Sequence, residues 1–523
     1  MSPAVFASPL PIARPEKRGA IVDRATCAHW LTQFQLTDIR AAHQALYREL
    51  AALGQYLLPP AERLQIMESL RETVTYVQGE LARRLAGRPL PLSEAEYGAF
   101  MTLIGIWAQM VLGYRHCLEA GAGAAERPLL IQRCLRYTGA QLVDYARMRY
   151  EYPAQLWAQL HSLYAFAEEQ GFADANVIDG PGEARPSSCR AAYVESLLLC
   201  HANPFELSPK QIELAQRWLR HWSDTVAVLR APRRGNERVP MLAVHLKGGS
   251  GLQSLSHLAP SEATRYLDLS EISKTLRVKQ ILLQQGQKPE PLGLGRDCEQ
   301  PGCGQLLAQL HRYWCEGAPT RSFDRRPSIN TAQVCFGIPA IWQIVASKPF
   351  AQPGMKRRAG GPAQTAGKPA AGPFQEETWS VKDESVLGMR IERDGPGERL
   401  QVNQLLALKL SNASWRLLGV IRWLVVTRSG QLQAGLRTLP GAPQPVAVRP
   451  AGPGAASSEP YLEALLLPEI PSLNLRGSLI VSKGIYQPQR LLELARDDET
   501  RKIKLELLVE RGADYERVGF SPA

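Results

Sequence analysis

The stretch VKDESVLGMRIE, residues 381–392, breaks two apolar runs of strand character with Asp383, Ser385 and Gly388. An acid, a hydroxyl and a glycine at that spacing read first as a turn. Asp and Ser hydrogen-bond to nearby backbone, and Gly accepts positive φ. A second constellation, Cys298, Cys303, His311 and Cys315, has the ligand types for tetrahedral zinc. Structural zinc sites favour tighter cysteine pairs, and His311 and Cys315 fall on an amphipathic helical pattern. A helix with a buried cysteine is therefore expected, and no metal. Catalytic signatures fail. GGSGL at 248–252 misses the second glycine of a nucleophile elbow, and GGPAQTAGKP misses phosphate-loop spacing and ends in Pro369. None of the nine histidines pairs with acids at metalloenzyme spacing, so an enzyme is not expected.

The surrounding elements decide what the Asp383 turn serves. A chain of 523 residues exceeds one hydrophobic core, and its 45% hydrophobic and 21% charged content is that of a folded protein. From residue 31 to 225 the pattern is helical. Leu64, Met67, Leu70, Val74, Val77, Leu81 and Leu85 form one apolar stripe, started by Pro60 and ended by Gly87. Ser93 with Glu96, and Ser208 with Gln211, have capping-box spacing. HANPFELSPKQ, residues 201–211, reads as a helix end, a turn at Asn203-Pro204 and a recapped helix, with a partner-docking corner as the functional alternative. Residues 97–114 are uncharged and nearly long enough to span a membrane, but they carry Thr, Gln and three glycines, so a buried core helix is expected and no membrane span.

Residues 226–318 mix strands and helices as a small α/β domain. Beyond 319 short strands rich in Val, Ile, Leu and Trp alternate with turns, as in a small antiparallel barrel. Residues 351–373, dominated by Ala, Gly and Pro, read as a disordered insertion. The expected fold class is multidomain α+β. A flexible tail (1–30) precedes an all-α helical bundle (31–225), a small α/β middle domain (226–318), a β-barrel (319–440) and a C-terminal β extension (441–523).

In this setting the order Asp383-x-Ser385-x-x-Gly388, then Val420, Ile421, Arg422 and Trp423, then Gly435 to Leu439, resembles the PilZ domain, over less than a quarter of the chain. The resemblance implies a bacterial receptor for cyclic di-GMP. It also implies a second half-site of Arg-x-x-x-Arg ahead of the first barrel strand, which Arg321 and Arg325 supply. Guanidinium groups grip phosphate oxygens or the guanine edge and stack on purines. Asp and Ser accept from guanine N–H groups, and Gly permits close backbone approach. Arg325 and Asp383 stand 58 positions apart, more than a compact PilZ domain uses, and the excess coincides with the insertion. That insertion offers Lys356, Arg357 and Arg358 as secondary phosphate contacts, with Arg422 a further candidate. The bland reading of these cations is a solvated linker.

The expected function is a cytoplasmic cyclic di-GMP effector with no other cofactor. Ligand binding would order the Arg321–Arg325 hinge and change a protein contact. The implied targets are motility, pilus, biofilm or secretion machinery. One alternative is a scaffold whose degenerate barrel binds no nucleotide, with its Arg and Asp side chains apart or paired internally. A nucleic-acid-binding protein, suggested by the net charge of +11, is not expected, because no strand face interleaves aromatics with cations. Nine cysteines in apolar settings such as Cys117, Cys134 and Cys200 suggest no disulfide framework and a reducing compartment.

Overall fold

The computed structural model describes residues 19–179, 185–233, 239–316, 325–353, 375–385, 387–451, 459–497 and 499–523. The insertion's core, Arg321, Lys356, Arg357, Arg358 and the first 18 residues lie outside the described residues. The chain forms two compact units, one of residues 1–88 and 92–320 and the other of residues 89–91 and 321–523.

The first unit is built on helices α1 (Arg24–Gln33), α2 (Ile39–Leu53), α3 (Pro60–Leu85), α4 (Glu94–Glu119), α5 (Arg127–Met148), α6 (Ala154–Glu169), α7 (Cys189–His201) and α8 (Pro209–Trp222). Local chemistry sets their ends. Ser93 accepts from the Glu96 N–H while the Glu96 carboxylate accepts from the Ser93 N–H, and Ser208 with Gln211 closes α8 the same way. Asn203 takes the left-handed conformation (φ 52°) before a short 3₁₀ turn, so the corner at 203–208 is made by backbone geometry. The buried stripe of α3 runs through Ile66, Met67, Leu70, Val74, Val77 and Leu81. Helix α4 is the one helix among the described residues long and apolar enough to cross a membrane. It buries Phe100, Leu103, Ile106, Met110 and Tyr114 among its neighbours.

The rest of this unit is a hairpin of β1 (Val177–Asp179) and β2 (Arg185–Ser187), then an antiparallel sheet in the order β3 (Ala227–Leu229), β6 (Thr264–Asp268), β4 (Leu242–His245), β5 (Gln253–Ser254). Helices α9 (Ser270–Gln284) and α10 (Gly302–Cys315) follow. Cys298 and Cys303 form a disulfide, contrary to the expectation of unpaired cysteines; the bend before α10 brings their Cα atoms to 5.2 Å. The other two members of the series turn elsewhere. His311 meets Ser273 and Glu316, and Cys315 is buried.

Between α3, α5 and the β hairpin lies a buried charge network. Arg133, 2% exposed, donates to both oxygens of Glu68 and to Asp179. Asp179 also receives Arg71, Arg136 and Gln132. Although burial opposes its charge, the three guanidinium groups hold the Asp179 carboxyl well below the usual range.

The second unit contains two successive strand rings. The first comprises β7 (Arg326–Pro327), β8 (Thr331–Phe336), β9 (Glu377–Ser385), β10 (Gly388–Arg393), β11 (Leu405–Leu410), β12 (Leu417–Val426) and β13 (Leu432–Leu439), all antiparallel. The strand order is β10-β13-β12-β11-β8-β9-β7, and β9 also pairs with β10, so six strands close on themselves with β7 added at the margin. The second is a closed barrel of β14 (Gln444–Pro450), β15 (Leu462–Leu467), β16 (Ser478–Ser482), β17 (Leu491–Arg496), β18 (Glu499–Arg511) and β19 (Tyr515–Pro522). The segment read as a β extension is therefore a barrel with its own core of Val446, Val448, Leu479, Leu492, Leu505 and Val518. Helix α11 (Ile338–Ala346) joins the rings, packing Ile341 and Trp342 against Leu405 and Val420 of the first and Leu465 and Ile480 of the second.

Candidate functional site

The sequence motif forms the β9–β10 hairpin. Ser385 stands opposite Gly388 in the register, and its Oγ donates to the Gly388 carbonyl at 3.0 Å. Gly388 is not at positive φ, so the turn explanation does not account for it. A Cβ there would stand 2.1 Å from the Leu436 carbonyl oxygen, so strand β13 can approach β10 only because residue 388 has no side chain.

Asp383 lies directly opposite Arg390, Arg390 opposite Gly435, and Gly435 opposite Trp423, across strands β9, β10, β13 and β12. Directly opposed residues share a face, so these four line one row on the outside of the ring. Met389 and Ile391, which alternate with Arg390, are buried. Gly435 makes room for the indole. A Cβ at 435 would stand 1.9 Å from Trp423 Nε1.

Arg325, just ahead of β7, donates from Nη1 to Asp383 Oδ1 at 2.6 Å, and Arg390 Nε lies 3.0 Å from Asp383 Oδ2. One carboxylate is thus flanked by two guanidinium groups. In the next row Arg437 stands opposite Gly388 and forms an ion pair at 2.5 Å with Glu510 of β18. The structure therefore brings Arg325, Asp383, Ser385 and Gly388 together. Arg422, at a register shift of β12, is exposed and makes no ion pair with Asp383. Arg321, Arg357 and Arg358 lie outside the described residues. Two neighbours escaped the sequence reading, Arg390 and Arg437, while Trp423 was read as part of the strand pattern and not as a ligand contact. Two-residue alternation from Gly388 to Arg390 and from Gly435 to Arg437 is the signal that could have found the arginines.

Chemically, the row with Arg325 beside it combines two cations, an acceptor carboxylate and an aromatic side chain, near the Ser385 hydroxyl. That set suits an anionic ligand carrying a planar base. Among the described residues no cluster of three His, Cys, Asp or Glu side chains could hold a metal ion.

The chain places a helical N-terminal region ahead of two closed strand rings. Residues 24–233 match the family described as the N-terminal domain of the cyclic-di-GMP receptor FimW, and residues 446–523 match the FimW C-terminal beta-barrel domain. The chain is also similar to the cyclic-di-GMP receptor FimW of Pseudomonas aeruginosa, at 23% identity over 540 residues, covering 91% of this chain and 87% of that protein. The C-terminal resemblance to a cyclic di-GMP receptor read from the motif is met by these matches. The matched barrel model falls on the second ring, while the motif lies in the first.

Proposed function

We propose that this protein is a cyclic di-GMP receptor whose ligand seats on the outer face of the first ring, and that it acts by binding and not by catalysis. The observation that carries this reading is the convergence of Arg325 and Arg390 on Asp383, beside the Ser385–Gly388 turn. The similarity over most of its length to a protein named as such a receptor supports it. Arg325 and Arg390 would exchange their shared carboxylate for phosphate oxygens. Asp383 and Ser385 would then accept from guanine N–H groups, and the Trp423 indole would offer a face to a base. Binding would re-seat Arg325 and so alter a contact with a protein of the motility, pilus, biofilm or secretion machinery, in the cytoplasm.

Titration calorimetry of cyclic di-GMP into the full chain tests it. Micromolar or tighter binding, lost in Arg325→Ala and in Asp383→Asn, is the expected outcome. Wild-type protein that releases no heat would reject the reading. A second reading, a docking barrel without nucleotide, is favoured by one feature: Arg325 already has an internal partner at 2.6 Å.

A further inference from the structure

The helical unit holds a cleft of about 580 Å³ that the barrel-side reading does not use. Its walls come from α3, α4, α5, α7, α8 and the β1–β2 hairpin. Arg71, Arg136, Arg147, Arg217 and Arg220 line it, against three carboxylates, Asp144, Asp179 and Glu195. The positions 136, 140, 143, 144 and 147 form one face of α5, so helical spacing delivers cations and small apolar groups to the same wall.

The carboxylates are committed. Asp179 is shared by Arg71, Arg133 and Arg136. Asp144 accepts from Trp107 Nε1 at 2.7 Å and from Arg147 at 2.9 Å. Glu195 takes Arg136 at 2.7 Å and leaves Arg220 at 3.8 Å, beyond hydrogen-bond length. The Arg220 side chain is 57% exposed. A side hollow of about 50 Å³, lined by both Arg136 and Arg220, adjoins the cleft. Desolvation weighs against the Arg220 charge; Glu195 and Asp179 offset part of it, while Arg136 and Arg147 add to it. Arg217 pairs with Asp297 at 2.6 Å and Arg71 with Glu68 at 3.0 Å, so among the described residues Arg220 is the lining arginine with no ion pair inside hydrogen-bond length; it stands where α5 faces α8, with Ala140, Val143 and Pro186 as apolar surface in the same cleft.

We propose that this cleft binds an organic phosphate of mononucleotide size, its phosphate group held between Arg136, Arg147 and Arg220. The volume lies within the range of small-ligand pockets. Several guanidinium forks approaching from two helices match a phosphate, whose three terminal oxygens accept from different directions, better than a single carboxylate. The site is independent of the ring face that carries Asp383.

The test is titration of the full chain with inorganic phosphate, AMP and GMP, on wild type and on Arg220→Glu, Arg220→Lys and Asp383→Asn. Saturable binding of a mononucleotide, about tenfold tighter than inorganic phosphate, is expected. It should weaken about tenfold or more in Arg220→Glu, weaken less in Arg220→Lys, which keeps the charge without the fork, and stay unchanged in Asp383→Asn. The Lys variant carries the test if the Glu variant does not fold. The proposal is overturned if neither mononucleotide binds at millimolar concentration, or if inorganic phosphate binds as tightly. It is equally overturned if the Arg220 variants bind like wild type, or if Asp383→Asn abolishes the binding. Cyclic di-GMP binding lost only in Asp383→Asn would leave the cleft proposal standing, so the two readings fail separately.

Discussion

Arginine and carboxylate meet in two very different ways in this molecule. In the helical unit Arg133 is 2% exposed and Asp179 sits among three guanidinium groups, each contact fixed by helices packed around it. On the first ring Arg325, Asp383 and Arg390 make the same kind of contact nearer the surface, with the Arg390 side chain 41% exposed and those of Arg325 and Asp383 at 22% and 16%. The less a guanidinium–carboxylate contact is buried, the less its loss should cost in stability. A buried charge that loses its partner has no water to replace it, whereas a surface pair can trade its partner for a ligand at little cost.

The largest expected effect lies in the buried network. Arg133→Ala leaves Glu68 and Asp179 short of a partner and should destabilise the protein by about 3–5 kcal/mol, read from urea unfolding. A loss below about 1 kcal/mol would erase the contrast between the two regions.

The next effect comes from pH. His161 is buried in the helical unit, with Nε2 2.9 Å from the Ser250 carbonyl and Nδ1 2.8 Å from the Tyr193 hydroxyl. The carbonyl can only accept, so the neutral ring carries its proton on Nε2 and accepts from Tyr193. Burial pushes its pKa down to about 4. Because the folded value lies below the unfolded one, this contribution to stability is complete above about pH 6.5 and is lost as pH falls through about 4, amounting to about 3 kcal/mol. Unfolding curves between pH 7 and 4 should show a decline, and His161→Phe should shrink it without removing it, because burial also lowers His116 to about 4 and depresses His43 and His201.

The hairpin that carries Asp383 depends on a close backbone approach. Gly388→Ala forces a Cβ against the Leu436 carbonyl and should cost about 1–3 kcal/mol, together with a weakened cyclic di-GMP response. Retained stability would mean that β10 and β13 separate easily.

Smallest in stability is Asp383→Asn, expected to change unfolding by less than about 1 kcal/mol while abolishing cyclic di-GMP binding. If stability instead fell as far as in Arg133→Ala, the surface cluster would be structural and the docking-barrel reading would gain.

Much of the helical unit was legible in advance because its signals are local. Ser93 with Glu96 and Ser208 with Gln211 meet within one turn, so spacing alone announces the helix starts. Apolar residues three and four apart likewise announce the buried face of α3. Asp383, Ser385 and Gly388 were visible for the same reason, being neighbours in one hairpin.

What remained for the tertiary structure is everything that depends on distant segments meeting. Arg390 joins Asp383 through strand register, Trp423 reaches the row across Gly435, and Gly388 is required by a carbonyl 48 positions later in the chain, not by its own φ. The closure of residues 444–522 into a second barrel rests on pairing β14 with β17 and β16 with β19, which no local pattern encodes. The chain by itself thus determined where elements begin, which face is apolar and which hairpin carries polar chemistry, because those depend on hydrogen bonds and periodicities a few residues long. Only the folded molecule decided which arginine meets which carboxylate, and which of those meetings is buried, because each of them depends on packing between segments tens of residues apart.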